Sequence, residues 1–183
     1  MRKAFLVSAF IAAFVLAVFA TNAAPAANFA GAWSLDKAKS TGLSQGMASA
    51  DSVTWTITQD DKTISIDSKV TGGQTGGGTG GGTGTGGGRG AGGPRVYNLD
   101  GKEVTAEAGG QMGGTNTTKA TWSGDGKSLE LSSVRTGNFN GNDFKSTSLD
   151  KLSLSGDGKV LTVVRHSESP RGTTDSTLLF NKQ

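Results

Sequence analysis

The sequence predicts an all-β fold: an antiparallel up-and-down meander of about 8–10 strands. The meander is closed or nearly closed into a barrel, behind a cleavable N-terminal signal helix. Three observations carry this expectation. Apolar residues recur with a period of two along most of the chain. Asp-Gly followed by Lys stands three times at the junction of two such runs, at Asp100, Asp125 and Asp157. No segment beyond the N-terminal apolar run shows a period of 3.6.

The N-terminus reads as an export signal. Arg2 and Lys3 form a basic head, an uncharged apolar run extends from Ala4 to Ala20, and small residues follow through Ala27. Cleavage after Ala20 or after Ala23 fits best, and we take 1–23 as the signal peptide and 24–183 as one domain. The chain has no cysteine, which excludes both a disulfide staple and lipid attachment through a cysteine. No second apolar run exists, so no integral membrane insertion is expected once the signal is removed. The localisation expected is periplasmic or extracellular.

Charge excludes another class. The full chain has 18 Lys and Arg against 15 Asp and Glu, and loss of Arg2 and Lys3 leaves 16 against 15. The basic residues are spread singly at turns. The mature chain is nearly neutral, and no nucleic-acid partner is expected.

The strands can be taken in order. Asn28 to Asp36 opens the meander, and Lys37 to Ala50 can hold a short turn of helix or a lid-like loop. Val53, Trp55 and Ile57 alternate with three threonines, and the pattern resumes at Ile64 and Ile66 beyond Asp60-Asp61-Lys62. Val96 to Leu99 precedes Val104-Ala106-Ala108. Thr118-Ala120-Trp122 passes through a turn into Leu129-Leu131. Phe144 to Leu154 makes a longer strand, expected to bend or bulge near Leu149 to Lys151. Leu161-Val163 and Thr177 to Phe180 close the chain. Most of these runs are five to eight residues, shorter than the about 9–11 residues of outer-membrane strands, and aromatics are too few for two girdles.

Residues 72–93 interrupt the meander with 15 of the chain's 30 glycines and no large apolar side chain. Burial cannot repay the backbone entropy lost on ordering such a tract, so it is expected to be a disordered loop insertion. As a coil it would span about 25 Å, enough to join neighbouring strands. No phosphate-loop pattern is present: Thr121 stands where Gly126-Lys127-Ser128 would need an upstream glycine.

Phe29-x-Gly31-x-Trp33, followed by Leu35-Asp36, resembles the opening strand of lipocalin and wider calycin barrels. It is similar in particular to bacterial secreted lipocalin-like proteins. The resemblance implies that Trp33 plugs the closed end of the barrel, with Arg165 or Arg135 as the cation over its face. The glycine tract, the absence of cysteines and about ten segments in place of eight depart from the lipocalin pattern.

The inventory for catalysis is thin. His166 is the sole histidine and falls on the face opposite Leu161 and Val163. No Gly-x-Ser-x-Gly elbow exists. The four glutamates are scattered, and Asp60-Asp61 is the one adjacent acidic pair, suited to a turn. No catalytic residue, metal site or cofactor is expected, and the chain is not read as an enzyme; a hydrolase would need His166 beside a Ser and an Asp in one cleft. Trp55 and Trp122 fall on the inward phase of their strands, where indoles either fill a core or line a ligand pocket. Two functions stay open. One is an exported barrel binding a small apolar ligand in its interior through Trp55 and Trp122. The other is a structural or interaction module of the cell envelope with a filled core. Oligomeric state is not legible.

Overall fold

The computed structural model of the chain describes residues 26–72, 94–107, 113–139 and 141–183. The expected signal segment with its cleavage point, residues 73–93 of the glycine tract, and Ala108 lie outside the described residues.

Among the described residues, ten strands and one helical turn follow one another: β1 (Gly31–Leu35), α1 (Gln45–Ser49), β2 (Ser52–Gln59), β3 (Thr63–Thr71), β4 (Arg95–Asn98), β5 (Val104–Glu107), β6 (Thr115–Trp122), β7 (Ser128–Phe139), β8 (Asn142–Leu154), β9 (Val160–Ser169) and β10 (Gly172–Lys182). They form one antiparallel sheet in the order β4-β3-β2-β1-β10-β9-β8-β7-β6-β5. The first strand pairs with the last, Leu35 opposite Phe180, so the meander curls back on itself into a nearly closed barrel. The seam falls between β4 and β5. Across it, the buried Thr118 of β6 donates its hydroxyl to the carbonyls of Val96 (3.2 Å) on β4 and Val104 (3.4 Å) on β5.

Alternation decides the two faces. Val53, Trp55 and Ile57 are buried while Thr56 and Thr58 are exposed. Leu129 and Leu131, Leu152, Leu161 and Val163, and Leu178 and Phe180 continue the inner face around the wall, each at most 2% exposed. With Phe29 and Trp33 they form one apolar core.

The two ends of the barrel differ. Turns at Asp60, Asp100, Asp125 and Asp157 gather at one end, each aspartate accepting a backbone N–H two residues on. The segment before β1 crosses this end. Ala27 donates to the Gly126 carbonyl, and Gln59 binds both sides of the segment, accepting from Phe29 N–H and donating to Ala27 O. Buried Phe29 stacks on Trp122 with centroids 6.0 Å apart. The opposite end carries α1, capped by the Ser44 hydroxyl and holding Met47 against the core.

The bulge expected as one possibility in β8 is absent. Its register with β7 runs unbroken from Ser153 opposite Ser128 to Asn142 opposite Phe139, and its register with β9 is equally regular. The inner face of β8 changes from Leu152 to Asp150 and Ser148, while Leu149 points outward and is 39% exposed. A change in the polarity of the inner face had imitated a change of phase.

Candidate functional site

The wall formed by β7 to β10 changes character along the barrel, while Val53, Ala50 and Met47 keep the interior apolar on the other side. Towards the turn-rich end this wall is apolar. Beyond Leu131, Leu152, Val163 and Leu178, the inward positions become polar: Ser133 and Arg135 on β7, Asp150 and Ser148 on β8, Arg165 on β9 and Ser176 on β10.

Arg165 sits at the boundary. Its Nε donates to Asp150 Oδ1 at 2.7 Å and its Nη2 to Oδ2 at 2.6 Å. Ser148 adds a hydroxyl to the same carboxylate at 3.1 Å. Burial alone would lower the guanidinium pKa, but the bonds and charge of Asp150 outweigh it and the pKa is raised. Tyr97 lies within the influence of this pair and of Arg95; burial, the leading cause, raises its phenol pKa. Asp150 is the one buried carboxylate among the described residues.

Trp55 forms the floor of the polar half. It is 4% exposed, packs on Phe180 at 4.6 Å between centroids, and carries the Arg165 guanidinium 5.8 Å from its ring centre. Its Nε1 is buried and has no hydrogen-bond partner; the same is true of the Ser68 hydroxyl, on the residue directly opposite Trp55 on β3. Arg135 Nε and Nη2 are in the same condition on β7. Among the described residues these four atoms, on three side chains, have no partner in the protein, and each costs about 1–3 kcal/mol if left unpaired.

Trp122 occupies a different place. It is half-buried at the turn-rich end, against Phe29, whereas Trp55 stands mid-strand, directly opposite Trp33 on β1. Trp33 is fully buried near that same end, its Nε1 donating to the Phe29 carbonyl at 2.9 Å. The cation over Trp33 is Lys182, at 5.4 Å. Neither Arg165 nor Arg135 takes that place: Arg165 lies over Trp55 instead, and Arg135 stands two inward positions beyond Leu131, about 13 Å along β7. Ala120 is buried as its phase predicts, whereas Ala106 is exposed beside the seam.

The outer surface holds a shallow groove of about 340 Å³, lined by Thr41, Leu149, Val164, His166, Asp175 and Thr177. His166 points outward here. Its Nδ1 meets Asp175 at 2.6 Å and its Nε2 meets Glu168 at 3.5 Å, so both ring nitrogens face carboxylates and neither bonds a serine. The Asp175 bond, ahead of Glu168, raises the imidazole pKa. Among the described residues no group of His, Cys, Asp and Glu is placed to hold a metal ion, and no helix is long and apolar enough to cross a membrane.

The polar residues of the inner face were legible only as phase. Asp150 alternates with Leu152, Arg165 with Val163, and Arg135 with Leu131, and that in-phase placement is the signal by which they could have been found.

Comparison with known proteins adds one solved structure, that of the zebrafish ileal bile acid-binding protein complexed with cholic acid. It is similar to this chain at 13% identity and a TM-score of 0.45, over 85% of this chain and 98% of that one. No protein-family model matches the chain, and no curated protein matches it.

Proposed function

We propose that this chain is an exported, lipocalin-like binding module, periplasmic or extracellular, and not an enzyme. It holds a small molecule with an apolar body inside the barrel, against Trp55. The observation that supports this most directly is the environment of that indole. Trp55 offers a rigid apolar face at the boundary between a filled core and a polar wall, and its buried N–H has no acceptor in the protein. A ligand lying there would rest on Trp55, Val53 and Met47 and supply the missing acceptor.

The test is a titration of the mature chain with an apolar fluorophore such as N-phenyl-1-naphthylamine, together with native mass spectrometry of gently purified protein. Saturable one-to-one binding, weakened about tenfold by Trp55→Phe and unchanged by Trp122→Phe, is the expected result. A protein that arrives empty and gives no saturable signal would sink the reading.

A second reading has its own support. Among the described residues, eighteen hydrophobic ones form one buried core in which Phe29, Trp33 and Phe180 are fully covered. Such a core suits a structural or interaction module of the cell envelope with no ligand, and the empty outcome above would favour it.

A further inference from the structure

We propose that the outer face of β7 to β10 is a self-association surface, on which a second copy of this chain docks about a two-fold axis between Leu149 and Val164. The proposal does not depend on the interior holding a ligand.

The outward positions of these strands are mostly hydroxylated: Ser132 on β7, Thr147 on β8, Thr162 on β9, and Thr173 and Thr177 on β10. Leu149 and Val164 break that pattern, 39% and 51% exposed. Leu149 stands opposite His166 and Val164 opposite Lys151, so the two are diagonal neighbours on one face. Half-buried Val134, opposite Thr147, prolongs the diagonal on β7, and half-buried Leu179, opposite Thr162, prolongs it on β10. The result is an apolar stripe across four strands, and Leu149 and Val164 also line the shallow outer groove. A contiguous apolar stripe in a hydroxyl-rich wall is stabilised by being covered.

The flanking charges identify what covers it. Glu130 and Lys151 stand directly opposite one another on β7 and β8, both exposed. Cross-strand neighbours of opposite sign lie about 5 Å apart at Cβ and attract. Yet among the described residues neither side chain joins an ion pair or a hydrogen bond. On the other flank His166 and Asp175 are opposite one another on β9 and β10. Each flank therefore carries a base and an acid side by side on adjacent strands. A two-fold axis at right angles to the stripe lays Leu149 of one copy on Val164 of the other. The same rotation carries Glu130 of one copy to Lys151 of the other, and Asp175 to His166. Every contact then occurs twice, as an isologous dimer requires.

Sedimentation velocity of the mature chain should show a monomer–dimer equilibrium with a Kd of roughly 10–100 µM, the weak class that so narrow a stripe supports. Leu149→Asp should stay monomeric. Glu130→Lys and Lys151→Glu each bring like charges together across the axis, and each should weaken dimerisation by about tenfold or more. Mixed in equal amounts, these two variants should form a heterodimer at least as tight as the wild-type dimer. The double swap, Glu130→Lys with Lys151→Glu, should restore self-association. In a mixed sample of ¹³C-labelled and unlabelled wild type, an intermolecular NOE should join the Leu149 and Val164 methyls, which covers the case of a variant that does not fold.

A wild type that remains monomeric up to about 1 mM, beyond the range of weak specific pairing, overturns the proposal and leaves the stripe to a different protein. Dimerisation that survives Leu149→Asp overturns it too, because the copies then meet elsewhere. So do charge variants that fail to recombine on mixing, and a dimer without the Leu149–Val164 NOE.

Discussion

Arg165 and Asp150 meet through two parallel hydrogen bonds inside the barrel, Nε to Oδ1 and Nη2 to Oδ2, over the face of Trp55. The pair is 16% and 8% exposed at its side chains, so water screens it little. Desolvating two charges costs several kcal/mol, which the mutual attraction and the Ser148 hydroxyl roughly offset. Removing one member strands the other. Asp150→Leu or Arg165→Met should each cost about 3–5 kcal/mol in urea unfolding, whereas the double variant should cost much less than the sum. Additive losses would mean the pair is not coupled.

His166 makes a pH prediction of the opposite kind from the turn aspartates. Its folded pKa is raised, first by the bond to Asp175 and then by Glu168. Protonation is therefore favoured in the folded state, and the stabilisation is fully present below the ordinary histidine pKa. It disappears as pH rises through the elevated folded value. An NMR titration of the imidazole should show a midpoint above 6.5, and Asp175→Asn should bring it back down. A midpoint unmoved by Asp175→Asn would show that the contact is not kept in solution.

The turn carboxylates work the other way. Asp125 and Asp157 are both held below the usual carboxylate range, chiefly by hydroxyls of Ser123 and Ser155 at 2.6 Å and then by the N–H of Lys127 and Lys159. Folding favours their ionised form, so their contribution is present above the ordinary carboxylate pKa and is lost as pH falls through the depressed folded value. The double variant Asp125→Asn and Asp157→Asn should flatten the decline of Tm below about pH 4. An unchanged acid limb would place the acid sensitivity elsewhere.

Much of the fold was open to reading because barrel strands advertise themselves by alternation. Val53-Trp55-Ile57 and Leu129-Leu131 state their inner face directly, and the Asp-Gly-Lys turns mark where strands reverse. The interior site was harder because its residues break the rule that inward means apolar. Arg135, Asp150 and Arg165 keep the inward phase while changing character, so a hydropathy pattern records them as strand ends or, at Leu149, as a bulge. The cation over Trp33 was missed for a related reason. Lys182 lies next to the C-terminus, beyond the last apolar residue, and reaches the indole only because β10 pairs with β1. Pairing of first and last strands is a long-range fact that no local pattern encodes.

Two glycines separate backbone conformation from close approach. Gly158 has φ of +68° in the β8–β9 turn, with open space where a Cβ would stand. Gly42 has φ of +64°, but a Cβ there would run into the Asp175 carbonyl on β10. Gly158→Ala should cost about 1 kcal/mol, the left-handed penalty alone, and lower Tm by about 2–4 °C. Gly42→Ala should cost more, and loosen the Thr41–Thr177 bridge that ties the segment before α1 to β10. Equal losses at the two positions would show that the segment before α1 yields without resistance.

Among the described residues Thr118 is the one whose side chain spans the seam to backbone on both sides, and its removal should therefore have a local signature. Valine matches threonine in shape but cannot donate, so Thr118→Val would strip a hydrogen bond from the Val96 and Val104 carbonyls without opening a hole. A loss of about 1–2 kcal/mol is expected. The more telling readout is hydrogen exchange. Amides of β4 bonded only to β3 should exchange faster, because β4 is a four-residue edge strand whose other side leans on Thr118. Amides of β8 and β9, in mid-sheet, should keep their protection. If β4 exchange is unaltered while stability falls, the hydroxyl serves the core as a whole and not the seam.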